Sequence, residues 1–318
     1  MNKLTIFMFS GQGSHYYQMG KELFEQQPIF RKWMLKLNEM ASDTLGESIL
    51  DKLYDQTKPK SSLFDQTLYS HPAIFMVEYS LSQMFLEEGI MPDYVLGTSM
   101  GEFAAAAVAG VMEVEELLAA LIKQAQMLET HCQPGGMTAI LHPTSWFEEM
   151  PSLFNQVELA SFNFHSHFVV TGKLEALKEL EKVLSQKNIV YQRLPVSIAF
   201  HSALIEPAMP AYTDFLQHKN YNSPKIPFIS CVYAKILSSF PQNYWWEIIR
   251  KPMAFQQTVQ NLEKKQAYIY IDLGPSGTLA NFVKYGLTKH SHSKTFPTLT
   301  PFGASLSNLE KIKDCFSN

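Results

Sequence analysis

Residues 93–110 read DYVLGTSMGEFAAAAVAG, and this stretch decides the fold. Asp93–Leu96 predicts a short buried strand, and residues 102–110 predict a helix of small residues. Between them Gly97-Thr98-Ser99-Met100-Gly101 fits G-x-S-x-G. A serine on a sharp strand-to-helix turn is held clear of the backbone, and glycines two residues to either side let the neighbouring chain approach. The helix N-terminus and the N–H of Met100 then face any negative charge that develops beside Ser99. The competing reading is an ordinary packing turn; the strand before and the Ala-rich helix after favour a nucleophile.

Working outward, Leu4–Phe9 predicts a buried strand entering the tight turn Gly11-Gln12-Gly13. Helical periodicity marks segments near 20–40 and 70–89, the latter with Gly89 as a C-cap, and Val114–Thr130. The stretch 131–196 differs. Strands are predicted at Met137–Leu141, Val157–Phe164, Phe168–Gly172 and Ile189–Val196, with helices over 144–154 and Leu174–Gln186. That order, βαββαβ, is a split ferredoxin-like unit. The expected organisation is α/β: a large domain of residues 1–131 and 197–318 carrying a small ferredoxin-like domain, 132–196. Helices near 202–217 and 257–265 flank strands at Phe228–Val232 and Tyr268–Leu273, and the second runs into Gly274-Pro275-Ser276-Gly277 and a helix. From about residue 290 a surface tail is expected.

Composition sets the class. At roughly 150 residues per domain, 318 residues suggest two domains or one large one. Hydrophobic residues at 46% supply a core, and a net charge of −4 argues against a nucleic-acid footprint. Of 26 basic residues only Arg31, Arg193 and Arg250 are arginine. Cys132, Cys231 and Cys315 form no CxxC pair, so neither a disulfide framework nor a metal site is expected. The N-terminus reads as a buried strand rather than a signal peptide, and no run reaches the roughly 18 apolar residues of a membrane span. A soluble, cytoplasmic monomer is the expectation.

A serine needs a base to become a good nucleophile. Among ten histidines, His165 and His167 fall in a predicted hairpin loop, His290 and His292 in the tail, and His131 and His142 near the boundaries of the insertion. His201 differs: it follows the apolar run Ile198-Ala199-Phe200 and opens a helix where the chain returns to the main sheet. Taken alone, it is more often a satisfied core histidine than a base.

Four motifs occur in order: Gly11-Gln12-Gly13-Ser14, Gly97-x-Ser99-x-Gly101-Glu102, Ala199-Phe200-His201-Ser202 and Gly274-Pro275. Together with the inserted unit they resemble, over essentially the whole chain, the family of malonyl-CoA:acyl-carrier-protein transacylases and polyketide synthase acyltransferases. The resemblance implies an α/β-hydrolase-like large domain, a cleft facing the small domain, and a Ser–His dyad passing through an acyl-enzyme. It makes Ser99 the nucleophile and His201 the base, with Gln12 and Met100 N–H groups as the oxyanion hole. It implies no cofactor beyond the phosphopantetheine or CoA that carries the acyl group, and acyl carrier proteins as partners. A backbone carbonyl before Pro252 would orient the imidazole in place of an Asp.

Three departures from the family pattern bear on specificity. Thr98 stands where the family has His, so a different pocket polarity is expected. Ile248 stands where it has Asn or Gln, so only its carbonyl could reach His201. The Arg that clamps a malonyl carboxylate falls, depending on alignment, at Gln124 or Lys123, and no arginine lies between Arg31 and Arg193. Lys gives a point charge without the bidentate fork, and Gln gives no charge. With Phe200 beside the base, Thr98, Lys123, Gln124 and Ile248 are the candidate acyl-pocket residues.

The leading expectation is hydrolysis of short neutral acyl units from carrier proteins, as in the stand-alone acyl hydrolases of trans-acyltransferase polyketide systems. Transfer of a non-malonyl acyl group, malonyl transfer using Lys123, and a non-catalytic carrier-protein-binding relative are the alternatives. A lipase-like hydrolase would need an Asp or Glu between Ser and His in chain order, whereas Asp214 and Asp272 follow His201. Lys-containing stretches 173–187 and 284–294 are candidate carrier contacts, though each also reads as a solvated face.

Overall fold

Short runs of Ile, Val, Phe, Leu and Tyr form the centre of the molecule, because a strand covered on both faces needs apolar residues at successive positions. The computed structural model describes residues 3–217 and 219–316. One sheet of six strands contains β1 (Leu4–Phe9), β2 (Tyr94–Gly97), β7 (Phe228–Ser230), β8 (Lys235–Leu237), β9 (Tyr268–Asp272) and β10 (Lys294–Pro297). Its order is β10-β9-β1-β2-β7-β8, parallel except for β8. β1 and β9 are almost entirely buried, with helices on both faces. The helix Thr67–Glu87 is apolar nearly all round and packs deep among helices Pro28–Leu45, Gly101–Val108 and Val114–His131.

The second sheet comprises β3 (Gly136–Ile140), β4 (Glu158–Phe164), β5 (His167–Gly172) and β6 (Tyr191–Arg193), in the antiparallel order β4-β5-β3-β6. This is the ferredoxin-like arrangement the βαββαβ order predicts, with the helix Leu174–Gln186 on one face and an aromatic core of Phe147, Phe154, Phe162 and Phe168. The chain is thus a large α/β layer with a small ferredoxin-like layer, as expected. Ser161 of β4 also bridges Met253 of the large layer: Phe162 N–H donates to the Met253 carbonyl (3.2 Å) and Met253 N–H to that of Ala160 (2.8 Å). That join holds the small sheet over the carboxyl ends of β1 and β2. Crevices at such strand ends are where open α/β sheets bind ligands.

Several expectations are corrected. Residues 144–154 form two short helices, Trp146–Glu149 and Pro151–Phe154, because Pro151 cannot continue the first. The last small strand shrinks to β6. Residues 202–217 begin as a 3₁₀ turn, Ala203–Ala208, that becomes α-helical only at Met209–Leu216. The helix Tyr244–Arg250 and strand β8 have no counterpart in the sequence reading. The supposed tail is structural: β10 adds to β9, and the helix Ser305–Phe316 buries Leu309 and Ile312. The polar run HSHSK hides this because β10 is an edge strand, half exposed on every residue but one. No helix among the described residues is long and apolar enough to cross a membrane.

Candidate active site

Phe9 pairs with Gly97, so the loops that follow β1 and β2 leave the sheet side by side. The second is a strained elbow. Ser99 sits at φ 52°, a left-handed conformation unusual for a residue with a side chain. The two glycines make it possible: a Cβ on Gly97 would lie 2.4 Å from Glu102 Cα, and one on Gly101 2.3 Å from the Phe9 carbonyl oxygen. Glu102 anchors the start of the following helix. It is buried, its carboxyl bonded to the Tyr244 hydroxyl, and burial pushes its pKa up to about 8.

His201 reaches the same place from the far side of the small sheet. Its backbone is also left-handed (φ 61°), and its N–H donates to the Ile249 carbonyl (2.7 Å). Nδ1 lies 2.7 Å from the Lys251 carbonyl oxygen. A carbonyl only accepts, so the proton is on Nδ1 and the lone pair is on Nε2. Burial pulls the pKa of His201 down to about 4; the Lys251 bond opposes this and nearby Arg250 adds to it. The ring is therefore a neutral acceptor of fixed tautomer.

Ser99 and His201 line one cavity of about 220 Å³ between the two sheets. Its walls include Gln12 and Gly13 from the β1 loop, Met137 and Ala139 of β3, Val169 of β5, and Leu279 and Phe282 beyond β9. Ser99 Oγ has no hydrogen-bond partner among the described residues, so the two side chains share the cavity without being bonded. Such contacts commonly tighten only when substrate is bound. The N–H groups of Gln12 and Met100 likewise have no protein acceptor among the described residues. The arrangement brings a hydroxyl on a strained backbone and a neutral imidazole to one cavity, with a free backbone donor at Gln12 in its wall and another at Met100, the residue after Ser99.

The acyl transferase domain family matches residues 6–311, nearly the whole chain. The chain belongs to the acyltransferase family. Among similar proteins, the polyketide biosynthesis acyltransferase homolog PksD of Bacillus subtilis is 44% identical over 313 residues, covering 98% of this chain and 97% of that one. The polyketide biosynthesis protein ThaF of Burkholderia thailandensis is 36% identical over 280 residues, 87% of this chain but 24% of its own length. The acyltransferase domain of the second salinomycin polyketide synthase module superposes with a TM-score of 0.86 at 26% identity, covering 98% of this chain and 72% of that one. A loading acyltransferase of the avermectin synthase gives 0.90 at 21%, over 99% and 100%, a likeness of fold.

Within this acyltransferase-family chain, the structure brings Ser99, His201, Gln12, Thr98 and Phe200 to the cavity. Thr98 N–H donates to the Phe9 carbonyl (2.9 Å), and its hydroxyl lies 3.4 Å from the same oxygen. Phe200 packs on the buried ring of His71 (5.5 Å between centroids). Met100, the residue after Ser99, is buried and does not itself line the cavity. Ile248 is a correction. It is buried in the core, and the carbonyls that hold His201 are those of Ile249 and Lys251, because the helix Tyr244–Arg250 ends between them.

Neither candidate on the helix Val114–His131 lines the cavity. Gln124 is fully buried near the Tyr212 hydroxyl, yet neither group completes a well-formed hydrogen bond. Lys123 is one residue earlier, about 100° round the helix, and only partly buried. The sequence reading missed His167 and Asn163. His167 begins β5 instead of lying in a loop. It lines the cavity, accepts at Nδ1 from Asn163 Nδ2 (3.0 Å), and packs near Phe164 and Phe282. Burial holds its pKa at about 4. The alternation FNFHSHF carried the signal, since His167 falls in register opposite Phe164.

Proposed function

We propose that this chain hydrolyses short, uncharged acyl thioesters carried on the phosphopantetheine of acyl carrier proteins in polyketide biosynthesis. The observation that carries this reading is the absence of any cationic clamp in the cavity. Among the described residues no Lys or Arg lines it, and the histidines that do, His167 and His201, are held neutral by burial. The three arginines are engaged elsewhere: Arg31 with the Phe24 and Glu25 carbonyls, Arg193 with Glu181 (2.7 Å), Arg250 with Glu206 (2.9 Å) and Glu158 (3.5 Å). A malonyl carboxylate would enter this cavity without a counter-charge, which costs several kcal/mol. Acetyl or propionyl meets no such penalty.

In this reading Ser99 Oγ attacks the thioester carbonyl while His201 Nε2 takes its proton. The oxyanion is received by the N–H groups of Gln12 and Met100. Collapse expels the pantetheine sulfur, which takes the proton from His201, and leaves the acyl group on Ser99. Water then attacks the ester, His201 again takes the proton and returns it to Ser99 Oγ, and the free acid departs. Transfer to a second carrier thiol would use the same first half. The discriminating experiment supplies acetyl- and malonyl-carrier protein and follows free acid and transfer from acyl-CoA. Acetyl hydrolysis is expected to exceed malonyl transfer by at least about tenfold. Faster malonyl transfer by the unaltered protein would sink the reading.

The buried base also fixes a pH profile. His201 works only when neutral, and a pKa lowered to about 4 keeps it neutral as the pH falls through the ordinary histidine value of 6.5. The acid limb of kcat/KM, which reports the free enzyme, is expected near pH 4. A limb near 6.5 would show a solvated imidazole and a cleft far more open than this one.

A further inference from the structure

Beneath the β1 loop, leading inward from the cavity-lining Ser10, Gly11 and Ser14 to Glu78, lies a chain of buried polar groups that the chemistry above does not use. Ser14 Oγ is 2.8 Å from the Gly11 carbonyl, Ser10 Oγ is 2.9 Å from Ser14 Oγ, and Glu78 Oε1 is 2.9 Å from Ser10 Oγ. Ser10 N–H donates to the same Oε1 (2.6 Å). Counting hydrogens orders the chain. The Gly11 carbonyl has none, so the single hydroxyl hydrogen of Ser14 is committed to it. The contact between the two serines then requires the hydrogen of Ser10. The contact between Ser10 Oγ and Glu78 Oε1 is left needing a hydrogen from the carboxyl.

We propose that Glu78 is a neutral carboxylic acid and a positioning residue, whose proton starts a one-way relay, Glu78 to Ser10 to Ser14 to the Gly11 carbonyl, that aims the Gln12 N–H into the cavity. The Gly11 carbonyl and the Gln12 N–H belong to one planar peptide unit and point in opposite directions. Fixing the first therefore fixes the second. A hydrogen bond accepted at the carbonyl also polarises the N–H, and chains of such bonds reinforce one another.

A second observation agrees. Glu78 Oε2 is buried without a partner, which is tolerable for the carbonyl oxygen of an acid and costly for an ionised carboxylate. Asp272 on β9 is the charged group that acts on Glu78. Its carboxylate is already taken by Gly274 N–H and Ala280 N–H, both at 2.8 Å. Burial first, and Asp272 second, push the Glu78 carboxyl well above the ordinary range.

The proposal rests on the oxyanion role of Gln12, so its test has one arm that needs no substrate. Infrared difference spectra of the unaltered protein against Glu78→Gln, at neutral pH, should show the carbonyl stretch of one protonated carboxyl that the variant lacks. Absence of that band overturns the relay. In the kinetic arm, Gln presents an acceptor to both Ser10 groups and reverses the order of donors. Glu78→Gln is expected to lower kcat about 10- to 100-fold, less than outright loss of an oxyanion donor at about 10²–10³, with KM little changed. Ser14→Ala breaks the same chain without touching a buried carboxyl, so it tests the relay even where Glu78→Gln folds poorly. The double variant should be no slower than the slower single one. A Ser14→Ala enzyme with unaltered kcat overturns the positioning role. Should Ser99→Ala turn over thioesters like the unaltered protein, the catalytic reading fails while the infrared band still decides the state of Glu78.

Discussion

Ser99→Ala and His201→Ala are each expected to lower thioester turnover by about 10⁴- to 10⁶-fold, and the double variant to be no worse than the poorer single one. A hydroxyl without a base is a weak nucleophile, and a base without the hydroxyl has nothing to activate, so the two act as a unit. The remaining activity would come from binding and from the Gln12 and Met100 donors, which neither substitution touches. Folding should be little affected. Among the described residues the Ser99 hydroxyl makes no hydrogen bond, the Ser99 carbonyl that accepts from Glu102 N–H is kept by Ala, and Ala at 201 removes a ring whose side-chain bond is to the Lys251 carbonyl. Mass spectrometry of protein mixed with acetyl-carrier protein gives a second readout. The unaltered chain should gain one acyl group on the peptide containing Ser99, and Ser99→Ala should gain none. Full turnover in either single variant would remove the dyad from consideration.

Gly101→Ala is expected to be the most damaging single methyl group in the protein. The added Cβ would meet the Phe9 carbonyl oxygen at 2.3 Å and that of Ser10 at 2.5 Å, both backbone atoms with nowhere to go. Phe9 O already accepts Thr98 N–H at 2.9 Å, so relieving the clash parts β1 from β2 at the point where the site is built. Overpacking of this kind costs about 3 kcal/mol or more, and a melting temperature lower by roughly 5–10 °C should follow. The elbow would also move, and a displacement of about 1 Å typically costs on the order of 10² in rate. Gly286→Ala is the matched control. It ends the helix Thr278–Gly286, and its Cβ would meet only Phe164 Cβ at 3.5 Å, so stability and rate should stay nearly unaltered. Equal melting temperatures for the two variants would mean that the elbow is not strained as described.

How far the site was legible in the sequence depends on the distance over which each signal acts. The elbow was readable because strand, Gly-x-Ser-x-Gly and small-residue helix are contiguous, and their constraints act within ten residues. The ferredoxin-like unit was readable for the same reason, from alternation and helical periodicity within sixty residues. His167 was misplaced in a loop because its burial comes from Phe282, more than a hundred residues later. The terminal strand and helix were taken for a tail because β10 takes its backbone partners from β9 rather than from its own polar sequence. A backbone carbonyl before Pro252 was expected to orient His201; which one was not legible, because the end of a helix that the sequence did not announce makes it Lys251 and leaves Ile248 in the core.

The sequence by itself determined the class of fold, and pointed to the candidate nucleophile with its glycines, the candidate base and the missing arginine, all from local pattern, motif resemblance or composition. Tertiary structure alone decided that the described residues around the cavity include no Lys or Arg, that His201 is buried with its proton on Nδ1, and that Ser10, Ser14 and Glu78 share one buried chain beneath the Gln12 peptide. Those properties depend on burial and on the direction of single hydrogen bonds. Both are set by residues tens to hundreds of positions apart, and side-chain chemistry read in order along the chain carries no record of them.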